Sequence, residues 1–331
     1  MVRTKMIGFG LLVVGVIFMV LLVLAFPSLL NRVFWRVDRW VVYARSLVDP
    51  AEPLEFKHRE LLQAPRVEVT RWPTETSMHT LEPAHTTPVP TLVPTLTQTP
   101  LPERVSLPVP AWEKQDINNC GPASLTMFLR YWGWEGDQFD ISDMLKPNRK
   151  DRNVNVEELM LYARTRVGWL SSEFRVGGSL ELLKGLLAAG LPVMIEEGVL
   201  LDETYWVNDD HWAAHYLLLT GYDDAIHSFI GQDSFFGANR LVSYQELDHN
   251  WQAFNRVFIL IYPPDQQAKV EKILGSDWDV NDNRLHALQK AQSEIDRDPE
   301  DAYAWFNLGS NLVFFERYAE AIEAYRRATS L

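Results

Sequence analysis

Cysteine is nearly absent from this chain: Cys120 is the single one in 331 residues. One thiol excludes an internal disulfide and leaves no sulfur-rich metal site. Positive charge is also scarce, with 31 Lys and Arg against 44 Asp and Glu and a net charge of −13. An acidic body is a poor match for nucleic acid. The scarcity is uneven, since residues 1–50 carry a balance of +4 and the remainder −17. No nucleotide-binding motif is present. Gly177-Gly178 is too short for phosphate binding and reads as a turn. His211 and His215 have the four-residue spacing of a zinc helix, but HWAAH lacks the metalloprotease glutamate and leads into strand-like sequence. The reading therefore includes no metal and no cofactor.

What is present divides the chain into successive units. Residues 6–26, MIGFGLLVVGVIFMVLLVLAF, are 21 consecutive residues without a charge, preceded by Arg3 and Lys5. A run of that length crosses a hydrocarbon core of ~30 Å as a helix. No small-x-small cleavage site follows near Ala25, so an uncleaved single-pass anchor is expected over 1–30. Residues 31–62 are expected as a juxtamembrane amphipathic segment. Over 29–48, Leu30, Val33, Phe34, Val37, Trp40, Val41, Ala44 and Leu47 share one face and Arg32, Arg36 and Arg39 another, which fits an interfacial helix or equally a surface helix packed on the next domain. A linker follows over 63–106. Its stretch 81–102 holds six Pro and six Thr and behaves as an extended spacer reaching roughly 70 Å at ~3.1 Å per residue. The four arginines after the span favour a cytoplasmic body by the positive-inside rule. A Thr/Pro stalk favours the opposite side, and the stalk decides the expectation: an extracytoplasmic body.

Residues 107–264 read as one α+β domain, helices first and an antiparallel sheet afterwards. Helices are expected after Cys120, near Asp140–Leu145, after Asn155 with Glu158 completing a capping box, and after Ser179. Strands are expected over 191–197, 215–223, 225–233 and 256–263, with a hairpin turn at Asp223-Asp224 and a short helix capped by Ser243. His227 falls in mid-strand in this reading. Residues 265–331 carry a helical repeat: Trp305, Leu308, Gly309, Leu312, Ala321, Tyr325 and Ala328 match the tetratricopeptide spacing. Leu274, Gly275, Ala287 and Ala291 stand 34 residues upstream of their counterparts, in a degenerate first copy. The last copy stops at Leu331, before its closing proline is due.

Chemistry gathers around Cys120. It opens CGPASLTMFLRYWGW, where Ala123, Met127, Phe128, Tyr131 and Trp132 mark one helical face and Pro122 suits the first helical position. A thiol just ahead of a helix N-terminus is well placed as a nucleophile. His215 opens one apolar strand and Asp233 closes the next, so a hairpin between them brings imidazole and carboxylate together. Gln115, five residues before Cys120, is in reach as an oxyanion donor beside the Cys120 amide. His211, Asp209, Asp210 and Asp223 read as rim, loop or turn residues, and Trp112, Trp132 and Trp134 as core.

The combination QDINNCGPASL, HYLLLTGYD and QDS resembles the C39-like family of papain-fold cysteine peptidases over Leu107 to Pro264, about half the chain. The resemblance implies a papain-like fold with Cys120 as nucleophile, His215 as base, Asp233 as the acid orienting it and Gln115 as oxyanion donor. Many papain-like enzymes place this Gln six residues before the Cys, where this chain has Lys114. The implied activity is hydrolysis of a peptide or other amide. Its alternative is an acyl-transferring or inactive module that binds peptides. The partners expected are a peptide or protein substrate, a protein held by the repeats, and the membrane through residues 6–26.

Overall fold

The computed structural model describes residue 44 and residues 100–147, 151–202 and 210–331. The apolar run 6–26 lies outside the described residues, as do most of the amphipathic segment and of the Thr/Pro spacer. Among the described residues no helix is long and apolar enough to cross a membrane.

After a short strand, β1 (Arg104–Ser106), come three helices: α1 (Cys120–Tyr131), α2 (Gln138–Leu145) and α3 (Val156–Arg166). Strand β2 (Ser171–Arg175) and helix α4 (Leu180–Ala188) lead into β3 (Val193–Leu200), β4 (Trp212–Asp223), β5 (Ser228–Asp233) and β6 (Gly237–Ser243). Helix α5 (Tyr244–Gln252) and β7 (Phe258–Tyr262) close the mixed region. The chain thus forms an α+β domain around one antiparallel sheet of order β2-β7-β3-β4-β5-β6, with β1 paired to the far end of β4.

Local sequence accounts for most boundaries. Asn155 accepts from the Glu158 amide at 2.9 Å and Glu158 returns a bond to the Asn155 amide at 2.8 Å, a complete capping box. Ser179 and Ser243 cap α4 and α5 through the Leu182 and Glu246 amides. Several boundaries differ from the sequence reading: β3 runs over Val193–Leu200 and β7 over Phe258–Tyr262, and three others bear on the site or the turn beside it. Helix α1 includes Cys120 as its first residue, so Pro122 is third in the helix. It still loses no bond there, because the first-turn amides have no intrahelical acceptor. Strand β4 starts at Trp212, three residues early. The turn after it is a single 3-10 turn over Asp224–Ile226, and His227 ends that turn with φ 48° instead of lying in mid-strand. Strands β1, β2 and β6 were not expected. β6, GANRLVS, buries little on either face and so shows no clean alternation.

The sheet is covered on both faces. Leu125, Phe128, Leu159, Met194, Tyr216, Leu218 and Ile259 make one core, and Leu183, Leu187, Ile195, Leu217, Phe229, Trp251 and Leu260 the other. Burial at roughly 25 cal/mol per Å² of apolar area makes these the main source of stability.

Four helices follow: α6 (Gln267–Leu274), α7 (Val280–Arg297), α8 (Ala302–Phe314) and α9 (Tyr318–Ser330). Val270 and Leu274 of α6 enter the second sheet core, whereas Ala291, Ile295, Leu308, Leu312, Ala321 and Ala324 form a core of their own. Helices α8 and α9 pair closely, since a Cβ at Gly309 would stand 2.7 Å from the Tyr325 ring. The array is hydrogen-bonded onto the mixed domain. Asn283 accepts from the Val176 amide at 3.0 Å and donates to its carbonyl at 2.9 Å, and Arg256 reaches Glu294 at 2.7 Å. Asn307 donates to the Gln252 carbonyl at 2.8 Å.

Candidate active site

The loop before α1 is held by one buried amide. Gln138 accepts from the Asp116 amide and from Asn119 Nδ2, both at 2.8 Å, and donates to the Lys114 carbonyl at 2.8 Å. From the other side, Lys146 Nζ donates to the carbonyl of Asn118, whose φ of 56° lies in the left-handed region. Burial pushes the Lys146 ammonium down to about 8, although Cys120 and Asp151 pull the other way. This pinned loop delivers Cys120 to the start of α1. There its Sγ is half-buried, 3.8 Å from the Ala214 carbonyl oxygen. The backbone amide of Cys120 belongs to the first turn and has no intrahelical acceptor.

Strand β4 carries His215 from the opposite direction. The register pairs Leu217 with Asp233, so His215 and Asp233 meet diagonally on one face of the sheet. His215 Nε2 donates to Asp233 Oδ1 at 2.9 Å, with both side chains buried. That bond commits Nε2 and leaves Nδ1 for Cys120, which bears electrostatically on the imidazole. Burial alone lowers the affinity of the imidazole for its proton. The Asp233 carboxylate, through charge and hydrogen bond, outweighs it, assisted by Cys120, and His215 is pushed up to about 10. Asp233 moves the opposite way. Its burial favours the neutral acid, but His215 and the Phe235 and Phe236 amides, which donate to Oδ1 at 2.8 and 2.9 Å, hold it well below the usual carboxylate range.

Gln115 is placed on the same side by two bonds to Ser234. Its backbone N–H donates to the Ser234 carbonyl at 2.9 Å, and its side-chain Oε1 accepts from Ser234 Oγ at 2.8 Å. With Oε1 committed, Nε2 is the end of the side chain left to meet an acceptor. The structure therefore brings Cys120, His215 and Asp233 into one connected group and orders Gln115 from the strand end next to Asp233.

Other residues singled out in the sequence lie apart from this group or border it. His211, at φ 67°, shares a hydrogen bond of 2.9 Å with the Leu201 carbonyl. It stands just before β4, which starts at Trp212, so His211 and His215 do not share a helical turn. Asp223 caps the turn through the Ala225 amide, Asp210 bonds the Trp212 amide, and Asp209 lies outside the described residues. Trp132 and Trp134 pack against the core as read. Trp112 does not. It is 40 % exposed, and its indole donates to the Asp233 carbonyl at 2.8 Å. The sequence reading also missed Gln138, Lys146, Ser234, Arg240 and the buried Glu197. Ser234 had a signal, standing next to Asp233 in the QDS motif. The rest reach the site from other elements and carry no local pattern.

Helices leading into an antiparallel sheet, with a thiol at the head of the first helix beside a strand-borne histidine, define an α+β domain of the cysteine-peptidase type. The chain belongs to the Peptidase_C39 like family, whose model matches residues 93–259. Solved structures similar to it include one described as a C39-like peptidase from Bacillus anthracis (21 % identity, 48 % of this chain, 98 % of that one, TM-score 0.38). Others are the peptidase domain of Streptococcus ComA, a bi-functional ABC transporter (13 %, 47 % and 99 %, TM-score 0.36), and xylellain, a cysteine protease from Xylella fastidiosa (13 %, 50 % and 87 %, TM-score 0.37). No curated protein matches the chain.

Proposed function

We propose that this chain is a membrane-anchored cysteine peptidase that hydrolyses a peptide or other amide through Cys120, His215 and Asp233. The observation that carries the reading is the 2.9 Å bond from His215 Nε2 to a buried Asp233, which leaves Nδ1 of the imidazole for Cys120. In the mechanism His215 holds the Cys120 proton as an imidazolium and the thiolate attacks the scissile carbonyl. The Cys120 amide and Gln115 Nε2 stabilise the oxyanion. His215 returns its proton to the leaving amine, then takes one from the water that releases the acyl-enzyme. Asp233 stays ionised throughout and keeps the imidazole in one tautomer and orientation.

The reading extends to the flanks. Residues 6–26 anchor the chain, the Thr/Pro stretch holds the catalytic domain outside the cytoplasm, and α8 and α9 are a tetratricopeptide hairpin that recruits a protein partner. Orientation has a direct test. A protease-sensitive tag after Leu331 is expected to be cleaved by protease added to intact cells. Protection in intact cells and cleavage only after lysis contradicts the extracytoplasmic placement.

Catalysis is tested by incubating the full chain with a peptide pool and a primary amine, and identifying products by mass spectrometry. New carboxylate termini are the expected products. Amine adducts in their place identify an acyl transferase, and an unchanged pool contradicts both enzymatic readings.

A further inference from the structure

Arg240 lies on the outermost strand of the sheet, yet it is the cation on which three carboxyl groups converge. Its Nη1 donates to Asp233 Oδ2 at 2.9 Å and its Nη2 to Glu246 Oε1 at 2.8 Å, and Nη1 stands 3.6 Å from Glu197 Oε1. Two of these partners are fully buried: Asp233 and Glu197 are both 0 % exposed. Asp233 Oδ1 is already engaged with His215 and two backbone amides, so Arg240 supplies the donor on its other oxygen. The guanidinium also lies 4.6 Å from the centroid of the Phe236 ring, which meets the His215 ring edge-on at 6.2 Å. Cation, aromatic ring and imidazole thus follow one another in contact, with Arg240 and His215 also meeting through Asp233.

Glu197 explains why a cation is needed there. It is the direct cross-strand neighbour of His215, and neither of its buried carboxyl oxygens has a hydrogen-bond partner. Burial raises its pKa, and His215 and Arg240 counter that rise. Without Arg240, Asp233 would lose a bond and face Glu197 and Glu246 with His215 as the nearest cation. The other groups bearing on the pair are the Cys120 thiol and the dipoles of the Phe235 and Phe236 amides.

We infer that Arg240, anchored by Glu246, is a positioning residue that fixes Asp233 so that its Oδ1 stays on His215, and that Phe236 is held by the same guanidinium as a cover over the pair. The inference rests on the catalytic reading of Cys120 and His215.

The test is the rate of Cys120 alkylation by iodoacetamide in the full chain, measured from pH 4 to 10. Misplacing a catalytic group by about 1 Å costs on the order of a hundredfold. Arg240→Met is therefore expected to slow alkylation roughly 10- to 100-fold near neutrality. The reactive range should also retreat on its acid side, because Asp233 binds its proton more readily without the cation. Arg240→Lys keeps the charge but reaches one carboxyl at a time, so it restores part of the rate. An Arg240→Met protein that melts like the parent and gives a superimposable pH profile overturns the inference. If Arg240→Met does not fold, Glu246→Ala decides. Its site is half-exposed, and a profile within twofold of the parent is the overturning result. A parent chain whose Cys120 reacts no faster than a free thiol, regardless of His215, defeats the catalytic reading itself. A fast parent unaffected at Arg240 and Glu246 defeats the positioning role alone.

Discussion

Cys120→Ala is expected to remove peptide hydrolysis by on the order of a thousandfold or more while leaving the melting temperature close to that of the parent. The two halves of that result have separate causes. Without the sulfur there is no nucleophile and no acyl-enzyme, and the remaining oxyanion donors only help water attack directly. The fold, in contrast, asks little of this side chain. Cys120 is half-buried, and its thiol makes a 3.8 Å contact with the Ala214 carbonyl oxygen. Alanine is the best helix former and suits the first turn of α1. The helix itself is fixed by Leu125, Met127, Phe128 and Leu129, all completely buried, and by Ser124 Oγ donating to the Tyr216 carbonyl at 2.9 Å. Steady-state cleavage of a peptide found in the pooled assay, alongside thermal melting, checks both. Activity that survives the substitution removes Cys120 from the mechanism.

Asp233→Asn should rank next, lowering kcat roughly a hundred- to ten-thousandfold, and unlike Cys120→Ala it should also destabilise. The asparagine oxygen can serve only one side. Turned towards His215, Phe235 and Phe236 it keeps their bonds but points its NH2 at Arg240, a donor against a donor. Turned the other way it satisfies Arg240 and sets the NH2 against two amides and an imidazole that then adopts the wrong tautomer. The stability loss has a pH window. His215 is raised from 6.5 to about 10, so its contribution is full below 6.5 and fades as pH rises towards 10. Asp233 is depressed below 3.8, so its contribution is present above that value and is lost as pH falls further. The difference in melting temperature between parent and variant should therefore be largest between about pH 4 and 6.5 and shrink on either side. A difference that does not vary with pH would mean that the pair is not ionised in the folded protein.

Much of the fold could be read from the chain because its signals are local. The capping box at Asn155, the serine caps at 179 and 243, and the strands read over 191–197 and 256–263, found at 193–200 and 258–262, are each specified by neighbouring residues. Strand β6 was illegible because its pairing with β5, through Ile230↔Leu241 and Gly231↔Arg240, buries almost none of its side chains. The site divides along the same line. Cys120, His215 and Asp233 stand out as a lone thiol ahead of a helix and as polar ends of apolar strands. Arg240, Glu197, Gln138 and Lys146 have no such mark, because what they do depends on long-range register and burial. Trp112 shows the limit of a composition rule. An aromatic ring near a nucleophile is usually core, but here its indole N–H is spent on the Asp233 carbonyl and its ring is left partly exposed.

The central claim is that His215 makes Cys120 a reactive thiolate, and alkylation of the full chain near neutral pH tests it most directly. Cys120 is the chain's single cysteine, so every labelled molecule reports on that site. The account predicts labelling by iodoacetamide far faster than that of a model thiol, and a fall to the model rate or below in His215→Ala. Slow labelling in the parent chain, unchanged when His215 is replaced, would contradict it.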